Sequence, residues 1–107
     1  MPFIAYEVAL DACRSLRSLI AKLRKRNPSL ADQIQRASQS VALNLAEGSG
    51  RRGRDRTQHY RIAAGSAGEA RGGLDIAVAF GDLDAAEIAD AWSNLDRVVA
   101  LLWPMTR

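Results

Sequence analysis

The sequence predicts an all-α fold: an up-down-up-down antiparallel four-helix bundle that forms a single domain over residues 1–107. Apolar residues recur at spacings of three and four along most of the chain, which is the period of an amphipathic helix. Alanine and leucine dominate these apolar residues, and both favour helices over strands. Prolines occur only at Pro2, Pro28 and Pro104, so two long stretches lack a hard helix breaker. Short connections between four such helices make neighbours antiparallel.

The first two helices are predicted at about residues 3–26 and 29–48. Pro28 ends the first helix because the residue before a proline is forced out of helical geometry. Ser29 is predicted to cap the second helix, and Gly48 to end it. The second helix buries an apolar stripe of Leu30, Ile34, Ala37, Val41 and Leu45.

The last two helices are predicted at about residues 55–80 and 84–103. Gly81 stops the third helix, and Asp84 with Glu87 has the spacing of a capping box that opens the fourth. The stripe of the fourth helix consists of Ile88, Trp92, Leu95, Val99 and Leu102. Trp92 and Trp103 lie on this stripe, and we expect them in the core; the alternative is a base-stacking platform.

The third helix has two apolar sides instead of one. The first side consists of Tyr60, Ala64, Ala67, Leu74 and Val78, and the nearly opposite side of Ile62, Ser66, Glu69, Gly73, Ile76 and Phe80. Leu43, on the far side of the second helix, agrees with a second contact surface, most simply another subunit. The helix also holds Gly65, Gly68, Gly72 and Gly73, which indicate either close approach of a neighbouring helix or a frayed segment.

Several functional classes are excluded by what the sequence lacks. Cys13 is the only cysteine, so neither an internal disulfide nor a thiolate-pair metal site is available. His59 is the only histidine and has no neighbour at metal-ligand spacing. No nucleophile–base pair or phosphate-binding loop is recognisable, so we expect no catalytic residue, no metal and no cofactor. With no signal peptide and no apolar run that could span a bilayer, we expect a cytoplasmic protein with no membrane partner.

A polar stripe follows the second helix at the edge of its apolar stripe. It consists of Gln33, Arg36, Ser40, Asn44 and Glu47, and in an antiparallel pairing it would meet Ser66 and Glu69. We expect an ion pair between Arg36 and Glu69. The structural interpretation is an internal network or a polar subunit contact, because unpaired buried polar groups are costly. The functional alternative is a ligand or catalytic site built from Arg36, Asn44, Glu47 and Glu69.

Basic residues gather in the first half of the chain. Twelve Lys or Arg stand against three acidic residues between Arg14 and Arg61, whereas residues 62–107 carry three Arg against seven acidic residues. Two runs stand out, and we predict nucleic-acid contacts for Arg24, Lys25, Arg26, Arg51, Arg52, Arg54, Arg56 and Arg61. The alternative is a solvated helix end, or charge pairing between subunits. In an up-down bundle the two runs lie at opposite ends.

The stretch Gln33–Gly48, which reads Q-I-Q-R-A-S-Q-S-V-A-L-N-L-A-E-G, and the later A-A-G-S-A-G-E ending at Glu69 resemble a known family. This pattern is similar to that of the four-helix-bundle proteins encoded by intervening sequences in bacterial large-subunit ribosomal RNA genes. By motif position, the family's characteristic residues correspond to Arg36, Ser40, Asn44, Glu47, Gly48, Ser66 and Glu69.

The resemblance implies an up-down bundle that assembles as a homopentameric ring. It also implies kinship with the accessory variability protein of diversity-generating retroelements, a basic pentamer that binds nucleic acid and a reverse transcriptase. It supplies no catalytic activity. Gly68, Gly72 and Gly73 replace bulkier residues of the family, and the fourth helix is acidic, so a fully basic outer surface is not expected.

Three hypotheses follow from the sequence. The first is a non-enzymatic, ring-forming bundle whose arginine-rich connections contact RNA or DNA. The second is a protein-interaction or scaffold subunit without a nucleic-acid role. The third is an enzyme that uses Glu47, Glu69 and Arg36.

Overall fold

Four α-helices make up the computed structural model, which describes residues 2–107 of the chain, with side chains from Ile4 onward. The elements are α1 (Pro2–Arg26), α2 (Pro28–Ser49), α3 (Gly53–Ala79), α4 (Ala85–Leu102) and a 3₁₀ turn (Trp103–Met105). Residues 2–107 contain no strand, so the predicted all-α class with four helices is confirmed. The molecule measures 42 × 22 × 20 Å, as expected for helices of this length lying side by side.

The helices are antiparallel to their neighbours, and the contacts between them show it. Ser15 and Lys22 of α1 meet Asn94 and Glu87 of α4, so contacts ascend one helix as they descend the other. The helices contact in the order α1–α2, α2–α3, α3–α4 and α4–α1, and the α2–α3 contact is the most extensive. This order is that of an up-down bundle.

The predicted cap of α2 was wrong. Asn27, not Ser29, caps this helix, since its side-chain oxygen accepts a hydrogen bond from the Leu30 amide at 3.2 Å. Pro28 then occupies the first helical position, where its missing N–H is not needed and its fixed φ suits the helix. A single non-helical residue therefore separates α1 from α2.

The predicted role of Gly48 was also wrong. Helix α2 continues through Gly48 to Ser49, and Gly48 is buried against the ring of Tyr60 in α3. The positive φ that makes the turn to α3 is at Gly53, with a value of 59°. The end of α3 and the start of α4 agree better with the prediction. Gly81 has a φ of 77°, and the capping box of Asp84 and Glu87 at the start of α4 is confirmed.

The core runs the full length of the bundle and is built mainly from leucine, isoleucine, valine and alanine. Its largest fully buried side chains are Leu16, Leu23, Ile34, Val41, Leu45, Leu74, Leu95, Val98 and Leu102. Trp103 does not join the core and is 63% exposed, so that prediction was wrong. Leu102 takes the core position, and Trp103 points about 100° away from it around the helix. Trp92 lies at the edge of the core.

None of the helices within residues 2–107 is long and apolar enough to cross a bilayer.

Candidate subunit contact and nucleic-acid interface

The second apolar side predicted for α3 is largely open to solvent in the single chain, although its Ser66 and Gly73 lie against α2. Together with α2 it forms what we call the α2–α3 face, whose large apolar members are Leu43, Ile62, Ile76 and Phe80. Their exposed fractions are 66%, 40%, 47% and 75% respectively. Ser40 contacts Ser66, and one turn along from this contact Leu43 and Ile62 lie at matching levels of the two antiparallel helices.

The four glycines of α3 divide into two groups. A Cβ on Gly73 would lie 2.6 Å from Cγ1 of Ile34, so this glycine permits close packing of α3 on α2. A Cβ on Gly65, Gly68 or Gly72 would meet nothing within 4 Å. The helix nevertheless runs without a break from Gly53 to Ala79, which excludes the frayed alternative. Because these three glycines have no side chain, no group protrudes from the outer side of α3 at their positions.

The polar stripe of α2 is partly an internal network along the α2–α3 seam. The hydroxyl groups of Ser40 and Ser66 are 2.8 Å apart, and the side-chain amide of Asn44 donates to the Ser40 carbonyl at 2.9 Å. Because this amide nitrogen is the donor, Oδ1 of Asn44 is left to accept from His59 Nδ1 at 3.0 Å. Nε2 of His59 then faces Asp55 at 3.8 Å.

The outer members of the stripe behave differently. Arg36 and Glu69 are both exposed, and no ion pair joins them among the described residues, so the expected pair does not form within the chain. The two small serines occupy the seam, and Arg36 and Glu69 lie on its outer side. Their charged ends therefore reach the surface of the α2–α3 face, where a second molecule could meet them.

The connection between α2 and α3 is ordered by one of its own arginines. Arg51 binds Glu47 at 3.2 Å and Asp55 at 3.0 Å, and Nε of Arg56 donates to the Arg51 carbonyl at 2.9 Å. Hydrogen bonding to Asp55, with its negative charge, raises the pKa of Arg51, and Glu47 adds to the effect. Arg52 and Arg54 are exposed and make no side-chain hydrogen bond or ion pair within the described chain.

Arg61 links the start of α3 to the C-terminal residues, which lie at the same end of the bundle. Its Nε donates to the Thr106 carbonyl at 2.8 Å, and the Arg107 guanidinium lies 5.9 Å from the centroid of the Trp103 ring. We call this end of the bundle, formed by residues 2–10, 47–61 and 100–107, the arginine end. Its side chains include six arginines and three carboxylates.

The opposite end, formed by residues 22–32 and 81–87, carries four cationic and four anionic side chains. Arg24 pairs with Asp32, Nζ of Lys22 lies 2.9 Å from Glu87, and Arg26 donates to a backbone carbonyl. A hydrogen bond from the Asp84 amide, followed by the Lys22 contact, lowers the pKa of Glu87. The predicted run of Arg24, Lys25 and Arg26 is therefore largely balanced by acidic neighbours.

Among residues 2–107, no group of three metal-ligating side chains occurs. The half-buried thiol of Cys13 donates to the Ser38 carbonyl at 3.8 Å, and burial raises its pKa. Sequence reasoning missed two residues: His59, whose spacing of four from Asp55 was a readable signal, and Trp103, whose position next to Pro104 was another.

Comparison with known proteins agrees with the motif of α2 and α3. The model of the 23S rRNA-intervening sequence protein family matches residues 2–103. The chain belongs to this family. The resemblance stated from Gln33–Gly48 and Glu69 is thereby confirmed at the level of the family.

A solved structure has the same fold as this 23S rRNA-intervening sequence protein. It is a protein of unknown function from the S23 ribosomal protein family of Bacteroides thetaiotaomicron, and it is 19% identical to this chain. The match covers 96% of this chain and 98% of the other, with a TM-score of 0.84. At this identity the likeness shows the fold alone. A search of curated proteins found no match.

Proposed function

We propose that this 23S rRNA-intervening sequence protein is a non-enzymatic homo-oligomer, a ring of five subunits, that binds RNA or DNA through its arginine end. The observation that carries the proposal is the difference between the two ends of the bundle. The arginine end keeps an excess of cationic side chains, whereas the opposite end is balanced by its own carboxylates.

The arrangement of the α2–α3 connection supports contact with phosphate. Arg51 holds the connection in place through Glu47 and Asp55, so its own charge is already paired with two carboxylates. Arg52 and Arg54 project from this ordered turn without partners of their own. Arginine presents a planar fork of donors that matches a phosphate group, and such contacts need no particular base sequence.

The α2–α3 face supports self-association. Four large apolar side chains on one side of a molecule of this size are more than scattered surface residues. Gly65, Gly68 and Gly72 leave room for a helix of a second copy to approach closely, and Arg36 and Glu69 on the same face carry opposite charges that a second copy could pair. A ring of parallel subunits would also bring the arginine ends together.

The test is binding of labelled structured RNA and duplex DNA, followed by fluorescence anisotropy across a salt series. We expect binding that weakens steeply with salt, and a marked loss of affinity in the double variant Arg52→Ala, Arg54→Ala. The matched control is Arg14→Ala, Arg17→Ala, which removes the same charge from the exposed side of α1. An equal loss in both variants would mean that net charge alone drives binding, and no binding at low salt would rule out the proposal.

A second candidate is a scaffold whose partner is another protein. Phe80 favours it, since it is the most exposed large apolar side chain from Ile4 onward and lies far from the arginine end. Size-exclusion chromatography with light scattering, combined with the nucleic-acid binding assay, separates the alternatives. A stable oligomer that binds no nucleic acid would support the scaffold.

A further inference from the structure

Trp103 is an exposed aromatic residue at the arginine end. We infer that its indole ring is a stacking platform for an unpaired base, so that this protein prefers single-stranded RNA or DNA to a duplex. The inference rests on the proposed nucleic-acid function and adds the class of nucleic acid to it. Three observations support it, namely the rigid support of the ring, the charge beside it and the contrast with Trp92.

The backbone beneath Trp103 is firmly held. Leu102 before it is fully buried, and Pro104 after it fixes the chain in a 3₁₀ turn. The Trp103 carbonyl accepts from the hydroxyl of Thr106 at 3.1 Å, and the Thr106 carbonyl accepts from Arg61 at 2.8 Å. The ring is thus presented on a turn tied to both α3 and α4, so a ligand need not order this backbone in order to stack on it.

Two arginines lie close to the turn that carries Trp103. Arg107 lies over the ring at 5.9 Å from its centroid, and Arg61 is anchored on the same turn. Residues 100–107 contain no acidic side chain. A protein partner that buried this tryptophan would have to cover two arginines as well, whereas a nucleotide offers a planar base for the ring and a phosphate for the guanidinium groups.

The ring remains 63% exposed although Arg107 lies over it, so surface is left for a second planar group. In a duplex every base already stacks on its neighbours and pairs with its partner. An exposed side chain can therefore stack only on a base that is unpaired, in a single strand, a loop or a bulge.

Trp92 is the internal contrast. It also has an arginine over its ring, with Arg71 at 5.6 Å from the centroid, yet its indole N–H donates to Asp75 at 3.0 Å and it lies at the edge of the core. Its contacts join α3 to α4. Replacement of Trp92 by phenylalanine leaves Trp103 as the only tryptophan, so that its fluorescence can be followed alone.

The experiment uses the full chain, an unstructured oligouridylate and a perfect RNA duplex of the same length. In the Trp92→Phe protein we expect the oligouridylate to quench Trp103 fluorescence and the duplex to leave it nearly unchanged. By anisotropy, Trp103→Leu should bind oligouridylate about ten-fold more weakly and the duplex equally well, whereas Trp103→Phe should keep most of the affinity for oligouridylate.

The outcomes separate this inference from the function on which it rests. If both RNAs bind with a steep salt dependence and Trp103→Leu changes neither, the stacking inference is wrong and the proposed function stands. If neither these RNAs nor single-stranded or duplex DNA bind at low salt, both are wrong. If Trp103→Leu instead dissociates the oligomer, the ring is a subunit contact and the inference fails.

Discussion

The ring of Tyr60 lies so close to Gly48 that a Cβ built on the glycine would be 2.6 Å from Cε1 of the ring. Tyr60 is 3% exposed, so the ring has little room to move away. This contact sets how closely α2 and α3 approach at the arginine end, and it explains why a glycine stands inside the last turn of α2.

Replacing Gly48 by alanine should therefore destabilise the protein. Overpacking of this kind costs about 1–3 kcal/mol, which outweighs the gain in helix propensity. The matched control is Ser18→Ala on the exposed side of α1, which improves helix propensity without a packing clash and should stabilise the helix by about 0.5 kcal/mol. Urea unfolding of both variants measures the difference. Equal effects of the two substitutions would contradict the packing explanation.

The hydroxyl of Tyr60 is buried and has no hydrogen-bond partner within the part of the chain that the structure describes. Its desolvation is uncompensated there, so Tyr60→Phe should stabilise the protein by about 1 kcal/mol or more. Thermal unfolding followed by circular dichroism would register this as a higher Tm. A clear loss of stability would mean that the hydroxyl has a partner, such as an ordered water molecule.

Self-association should depend on the apolar side chains of the α2–α3 face. Leu43→Glu and Ile76→Glu each place a charge among exposed apolar groups, so either should convert the proposed oligomer to monomers. Ala86→Glu, on the exposed first turn of α4, is the control and should leave the molecular mass unchanged. Light scattering after size exclusion measures the mass. Full assembly of both face variants would place the subunit contact elsewhere.

Glu87 makes the stability of the folded protein depend on pH. Its pKa in the folded protein is depressed by the Asp84 amide and by Lys22. Below the ordinary glutamate value of about 4.3 the unfolded chain takes up a proton that the folded chain does not. The stabilisation is thus complete above about pH 5 and is lost as the pH falls towards the folded-state pKa of Glu87.

The measurement is the free energy of unfolding from pH 6 down to acid conditions. Glu87→Gln should flatten the fall in stability over this range, because the titrating group is gone. Asp90→Asn, in the same helix but without a hydrogen bond or ion pair, should keep the shape of the wild-type curve. A curve of unchanged shape in Glu87→Gln would show that other carboxyl groups cause the acid dependence.

Much of the fold could be predicted because the periodic signal is strong. The capping box of Asp84 and Glu87 was predictable because it depends on residues three apart. The role of Gly48 was not, since it depends on Tyr60, which is distant in sequence and packs on it only in the folded bundle. Local signals thus predicted the capping box of α4 but misplaced the cap of α2, and contacts between helices require the packed structure.

The candidate site shows the same division. Spacing alone placed Ser40 and Ser66 at a common seam, and their hydroxyl groups do meet there. Spacing could not show that Arg36 and Glu69 would both turn outward, because a rotation of a few tens of degrees about each helix decides between a pair and two free charges. Nor could it show that Arg24 is balanced by Asp32 across the α1–α2 turn.

The unequal ends of the bundle have a kinetic consequence. A rod 42 Å long with its excess positive charge at one end has a permanent dipole along its axis. The electric field of a polyanion orients such a molecule before contact, so that the arginine end meets the polyanion first. Orientation would thus be settled during the approach, and its effect would fade as salt shortens the reach of the field.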